Sequence, residues 1–278
     1  MMPMTLSEVA QAVGCTAEYF LNNHAKITSI STDSRPQPED EDKESCLFVA
    51  LRGEKFDGHQ YVDSALRNKA AYALVDEKGV QEYCSEISPE HLIVCKDTEQ
   101  GFLDLAGYYR NQFQFKMVGV TGSVGKTTTK EMIAQVLSAQ YETLKTQGNF
   151  NNRVGLPKTL FQLDNSIEAA VIEMGMNSFG EISDLTRRAR PDAAVITNIG
   201  VAHIEYLGSR AGILKAKMEI IEGMKEGSPL ILNKDDDMLA DLDCPQMKKI
   251  YYGIDRSDCD VHAKDIQEEG RHTSFTIV

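Results

Sequence analysis

The chain has no run of apolar residues long enough to cross a bilayer, and its N-terminus lacks the basic region and apolar core of an export signal. Its six cysteines, at 15, 46, 84, 95, 244 and 259, include no C-x-x-C pair. That argues against a zinc site or a disulfide framework and for a reducing compartment. Positive charge is in deficit, with 29 Lys and Arg against 42 Asp and Glu and a formal net charge of −13. This balance excludes a general nucleic-acid or anionic-membrane binder, so anionic ligands must be held by local lysines, arginines and backbone amides. Internal repeats and low-complexity linkers are missing too. A cytoplasmic protein with no membrane insertion is expected.

What is present fits a folded α/β protein. A length of 278 residues suggests about two domains, each able to bury a core, and 42% hydrophobic with 26% charged residues is an ordinary globular composition. The organising stretch is Val118-Gly119-Val120-Thr121-Gly122-Ser123-Val124-Gly125-Lys126-Thr127-Thr128-Thr129. Phe115, Met117, Val118 and Val120 predict a buried strand, and Met132, Ile133, Val136 and Leu137 recur at helical spacing after it. A glycine-punctuated turn between a strand and a helix N-terminus is where a phosphate-binding loop belongs, because its amides and the helix end favour anions. Lys126 would reach the outer phosphates and the Thr127 hydroxyl would ligate Mg²⁺. The sequence departs from the general G-x-x-x-x-G-K-[ST] pattern, since Val120 stands where the first glycine should be and Gly122 falls inside the loop.

Along the chain, Thr5-Leu6-Ser7-Glu8 has the form of a capping box opening a helix that stops at Gly14. Strands are expected at 27–30, 46–51, 72–75 and 91–94, with helices over 60–68 and 98–113. The acidic run Glu39 to Glu44 reads as a solvated loop face. A boundary near 111–115 separates a small N-terminal α/β domain, residues 1–112, from a central domain, residues 113–278. Beyond the loop, strands at 142–145, 169–173, 193–198, 230–233 and 249–253 alternate with helices at 154–162, 180–189 and 209–222. Such alternation builds a mostly parallel sheet covered on both faces, with ligands outside the carboxyl ends of its strands.

Several polar residues fall at those ends. Glu173 tips an apolar strand and is suited to a hard cation, and equally to a plain exposed strand end. His203 follows Thr197-Asn198-Ile199-Gly200-Val201-Ala202, and on residues alone it reads as structural. Lys217, on a predicted helix, reads as a lysine solvating its face. The run Gly148-Asn149-Phe150-Asn151-Asn152-Arg153-Val154-Gly155-Leu156-Pro157 offers amides to a polar ligand or simply makes turns. Ser31-Thr32-Asp33-Ser34-Arg35-Pro36 reads as a solvated turn after a strand.

Taken together these segments resemble the Mur ligase family. Thr121-Gly122-Ser123-Val124-Gly125-Lys126-Thr127-Thr128 is similar to the family's phosphate loop, which also lacks the early glycine. Gly148 to Pro157, Glu173-Met174-Gly175-Met176-Asn177 and Asn198 to His203 are similar to the members that add D-alanyl-D-alanine to UDP-N-acetylmuramoyl-tripeptide. Asp33-Ser34-Arg35, Leu47-Phe48-Val49-Ala50-Leu51 and Asp57-Gly58-His59 resemble the family's uridine-nucleotide domain. The resemblance covers nearly the whole chain.

It implies an ATP-dependent amide ligase of peptidoglycan precursor synthesis, working through an acyl phosphate. It implies that residues 121–128 bind ATP, and that Lys126, His203 and Lys217 are catalytic. Thr127 and Glu173 would hold one Mg²⁺, and His203 and a carbamylated Lys217 another. Asn151 and Asn152 would contact the muramoyl part, and Ser34 and Arg35 the uridine nucleotide. A monomer is expected. The family also has a third, C-terminal domain, whereas His272 to Val278 reads as a strand without a successor. A fragment unable to complete ligation alone is therefore expected. Two rival readings stay open: another Mur-type ligase, such as the one adding the third amino acid, and a non-catalytic P-loop nucleotide-binding module.

Overall fold

The computed structural model describes residues 1–35, 45–53, 55–270 and 272–278. The acidic run Glu39 to Glu44 lies outside them. The chain divides into two compact units: Met1–Phe113 with Leu160–Asp164, and Gln114–Thr159 with Asn165–Val278.

In the first unit, β1 (Met4–Thr5) runs into α1 (Leu6–Ala12), followed by α2 (Glu18–Leu21) and β2 (Lys26–Ile27). The capping box forms: Thr5 Oγ1 accepts the Glu8 amide at 3.2 Å, and Glu8 Oε2 accepts the Thr5 amide at 2.7 Å. Then come β3 (Ser29–Ser31), β4 (Cys46–Val49), α3 (Val62–Asn68), β5 (Tyr72–Asp76), α4 (Glu77–Tyr83), β6 (Leu92–Cys95) and α5 (Thr98–Arg110). β3, β4, β5 and β6 form a parallel sheet in that order. All four residues of β4 are buried, as expected for a central parallel strand covered on both faces. Residues 160–164 join this unit because Phe161 packs on Phe102 and Tyr109, and the Tyr109 hydroxyl donates to Leu163 O at 2.6 Å.

The second unit runs β7 (Lys116–Thr121), α6 (Lys126–Leu137), β8 (Thr143–Lys145), α7 (Gly155–Leu160), β9 (Ala169–Glu173), α8 (Glu181–Ala189) and β10 (Ala193–Ile196). It continues with α9 (Ile204–Leu207), α10 (Arg210–Met218), β11 (Pro229–Asn233), β12 (Lys248–Gly253), β13 (Val261–Glu269) and β14 (His272–Ile277). The strands form one eight-stranded sheet, order β14-β13-β12-β11-β10-β7-β9-β8, parallel except for the β13–β14 hairpin. From β7 the chain crosses to the edge strand β8 and comes back as β9 between them, then adds β10 to β13 on the other side of β7. The carboxyl end of β7 is therefore the topological switch point, where an open α/β sheet leaves a crevice for ligands.

The strand at 272–278 pairs with the preceding strand, β13, which is hidden in the sequence because Val261-His262-Ala263-Lys264-Asp265-Ile266-Gln267-Glu268-Glu269 is mostly polar and largely solvated. One feature differs from expectation. Helix α6 does not turn its whole apolar set inward: Met132 is 63% and Val136 74% exposed, while Lys130 and Ala134 are buried. Lys130, Ala134 and Leu137 share one side of a 3.6-residue helix, and Met132 and Val136 point nearly opposite. No described helix is long and apolar enough to cross a membrane.

Candidate functional site

The apolar β7 ends at Thr121 and delivers the chain into the loop 122–125 at the switch point. Gly122 sits at φ +152°, where a Cβ would lie 1.8 Å from Thr197 Oγ1. Gly125, at φ +79°, forms the N-cap of α6 and offers it no side-chain cap. The first-turn amides of this twelve-residue helix, at Lys126, Thr127 and Thr128, therefore remain available to an anion.

The loop is clamped from the end of β10. Asn198 accepts the Val124 amide through Oδ1 and donates to Val124 O through Nδ2, both at 3.0 Å, while its carbonyl accepts the Ser123 amide at 3.0 Å. The Thr197 hydroxyl adds a bond to Val124 O at 2.7 Å, and the Gly200 amide donates to Ser123 Oγ at 2.9 Å. Farther along, Ile199 is fixed by Asp236 Oδ2 at its amide (2.8 Å) and by the Arg210 guanidinium at its carbonyl (2.9 Å). Thr197 and Asn198 stood inside the motif quoted above, yet nothing in the sequence marked them as the clamp. Contacts across more than 70 residues follow from strand order, not from local pattern.

Lys126 folds over the loop, its ammonium donating to Gly122 O at 2.9 Å and Ser123 O at 3.4 Å. Burial pulls its pKa below the ordinary lysine value, partly opposed by Glu173. Thr121 Oγ1 is buried with no hydrogen-bond partner among the described residues, an orphan polar atom at the root of the loop.

Glu173, at the tip of β9, is buried and held at both carboxylate oxygens. The Thr127 hydroxyl donates to Oε2 at 2.9 Å and the Asn151 amide to Oε1 at 2.8 Å. Asn151 is thus brought to the carboxylate. Asn152 serves α7, its Oδ1 accepting the Gly155 and Val154 amides at 2.8 and 3.2 Å. Among the described residues no three His, Cys, Asp or Glu side chains converge. The donor set is a hydroxyl and a carboxylate beside an uncapped helix end. It fits Mg²⁺, which takes few protein oxygens and fills its remaining positions with water and phosphate, and not a softer transition metal.

Lys217 departs from its bland reading. It lies in α10 with 3% of its surface exposed, and its ammonium has no ion pair among the described residues. Burial first, and the nearby Lys126 charge second, push its pKa down to about 7. Its amine is therefore substantially uncharged near neutrality. His203 begins α9 in the left-handed region (φ +64°), half-buried, and its ring makes no hydrogen bond among the described residues.

In the first unit, Ser34 and Arg35 follow β3 at its carboxyl end. Arg35 is exposed and grips Asp33 bidentately, at 2.6 Å for its shortest contact, which holds the Asp33 carboxyl well below the usual carboxylate range. Buried His59 ties its neighbours together: its Nδ1 meets Asp57 Oδ1 at 2.6 Å and its Nε2 accepts the Asp76 amide at 3.1 Å. Arg52 bridges Asp57 (2.9 Å) and Asp76 (2.8 Å).

A family model, the Mur ligase middle domain, matches residues 120–278. The UDP-N-acetylmuramoyl-tripeptide–D-alanyl-D-alanine ligase of Bacillus subtilis (strain 168) is 40% identical over 279 residues; the alignment covers 100% of this chain and 58% of that relative. Among solved structures, MurF from Acinetobacter baumannii superposes with a TM-score of 0.87 at 32% identity, over 100% of this chain and 58% of that one. The MurF ligase of Thermotoga maritima in complex with ADP gives a TM-score of 0.79 at 31% identity, over 90% and 55% of the two chains. The chain thus spans a little over half the length of the proteins it is similar to.

Proposed function

Since the chain belongs to the Mur ligase family, we propose that it carries the nucleotide-binding and uridine-substrate parts of a cytoplasmic, monomeric, ATP-dependent ligase. The reaction is the joining of D-alanyl-D-alanine to UDP-N-acetylmuramoyl-tripeptide in peptidoglycan precursor synthesis. The observation that carries the reading is the meeting of the Thr127 hydroxyl with the Glu173 carboxylate, 2.9 Å apart, at the N-terminus of α6.

The chemical obstacle is charge, because an anionic carboxylate must approach an anionic γ-phosphate. The amides opening α6 and the Lys126 ammonium would neutralise the phosphates. Thr127 and Glu173 are the residues that would hold a Mg²⁺, which would supply further positive charge to offset that of the phosphates. The lowered pKa of Lys217 gives it a substantial neutral fraction near neutrality, the form that takes up carbon dioxide. As a carbamate it would present oxygen in place of an ammonium and, with His203, serve a second ion. The tripeptide carboxylate would take the γ-phosphoryl group of ATP with release of ADP, and the amine of D-alanyl-D-alanine would attack the resulting acyl phosphate, expelling phosphate and losing a proton. Ser34 and Arg35 would meet the uridine nucleotide. Asn152 would meet the muramoyl part, together with whatever face of Asn151 its bond to Glu173 leaves open.

Calorimetric titration tests the substrate assignment. UDP-N-acetylmuramoyl-tripeptide should bind more tightly than the dipeptide form or UDP alone. Preference for the dipeptide would move the assignment one ligation earlier, and no binding of any of the three by folded protein would leave only a P-loop nucleotide module. The clamp has its own test. Asn198→Ala removes two hydrogen bonds to Val124, worth about 1 kcal/mol each, so ADP affinity should fall by up to about thirtyfold. Unchanged ADP affinity would mean the loop keeps its shape without Asn198.

A further inference from the structure

Lys130 is buried without exposed surface and has no part in the mechanism above. It lies one helical turn beyond Lys126 on the sheet-facing side of α6. A buried ammonium is costly unless its donors are used. Here Nζ donates to the Thr146 carbonyl at 2.7 Å and pairs with Glu131 Oε1 at 2.8 Å. Lys130 and Lys145 together hold the Glu131 carboxyl down at about 2. An apolar side chain of similar length would pin α6 to the sheet without that desolvation. The charge therefore calls for a reason beyond packing.

The reason lies at the tip of β9. On one flank, Glu173 stays in the ladder: it pairs with Val120 of β7, and the Met174 amide donates to Val120 O at 2.9 Å. On the other flank the sheet ends. β8 is the edge strand, and its pairing with β9 stops at Lys145 opposite Val171. The Glu173 amide thus has no strand carbonyl to meet. It donates instead to the hydroxyl of buried Thr146, at 3.0 Å, while the Thr146 amide donates to Val171 O at 3.1 Å. A side chain stands in for the missing rung. Lys130 grips the carbonyl of that same residue, just past the end of an edge strand that would otherwise fray.

We infer that Lys130 and Thr146 are positioning residues that fix the backbone of Glu173, and through it the carboxylate shared by Thr127 and a bound cation. The inference rests on reading Glu173 as the metal carboxylate. Its test measures ADP binding by calorimetry with and without Mg²⁺, in the wild-type chain and in Lys130→Met, Thr146→Val and Glu173→Gln. Residues that orient a metal's ligands typically change metal affinity by roughly ten- to a hundredfold when replaced. Lys130→Met and Thr146→Val should each remove about that much of the Mg²⁺-dependent gain in ADP affinity and leave metal-free ADP binding unchanged. In a Glu173→Gln background neither should have a further effect. If Lys130→Met fails to fold, the near-isosteric Thr146→Val carries the test alone. Variants that melt earlier but keep the full Mg²⁺-dependent gain overturn the inference and leave Lys130 a structural lysine. If Glu173→Gln itself keeps the gain, the reading of Glu173 falls, and the inference with it.

Discussion

Replacing Lys217 with methionine should make the protein more stable near neutral pH, by an amount that vanishes in alkali. Burial and the neighbouring Lys126 charge lower the Lys217 pKa from 10.5 to about 7. Between those values the unfolded chain binds a proton that the folded chain does not, so this group's contribution to stability rises with pH across the window. Below about pH 7 the folded state carries the full penalty of a desolvated cation. At about 1.4 kcal/mol per unit, and allowing for relaxation around the charge, that penalty is on the order of 3 kcal/mol. The methionine variant escapes it and should melt higher at pH 7, with the two proteins converging as pH approaches 10.5. Bicarbonate should raise the melting temperature of the wild type alone, because only Lys217 can take up carbon dioxide there. Parallel melting profiles between pH 6 and 10 would show that Lys217 stays protonated in the fold, removing the physical basis for a carbamate.

Gly122→Ala should destroy the loop. At φ +152° an L side chain is strained, and its Cβ would stand 1.8 Å from Thr197 Oγ1, the hydroxyl that fastens Val124. Either the loop or the end of β10 must shift, at a cost of roughly 3–5 kcal/mol. Because the same movement displaces the phosphate amides, ADP affinity should fall about a hundredfold or more. Gly125→Ala is the control. It is also at positive φ, but a Cβ there meets nothing within 4 Å, so its cost should be about 1–2 kcal/mol. Denaturant melts and ADP titrations of the two variants separate the steric effect from the dihedral one. Equal losses would sink the claim that the approach of Thr197 shapes the loop.

The parts of this architecture that are legible in the sequence are those with a local cause. Strands such as Ala169–Glu173 and Cys46–Val49 announce themselves because a parallel strand buried on both faces must be apolar throughout. The turn at 122–125 is legible from its glycines, and Glu173 from its place at a strand tip. Lys217 and Lys130 are not. A lysine on a helix is normally solvated, and what buries these two is the packing of their helices in the second unit, which no window of sequence contains. Apolar spacing alone set Met132 and Val136 facing inward, whereas the strip around Lys130 faces the sheet. The bond of Asn151 to Glu173 and the clamp by Asn198 join residues 22 and 74 positions apart, brought together only by the order β10-β7-β9.

The Thr127–Glu173 contact also bears on timing. A threonine hydroxyl left to itself reorients on the picosecond-to-nanosecond scale and samples directions useless to an incoming ligand. Here the carboxylate has already parked that rotor, turning the proton toward Glu173 and the oxygen lone pairs away from it. Capture at this spot should then be limited by arrival and by the shedding of water, with no waiting period for the side chains to find their places.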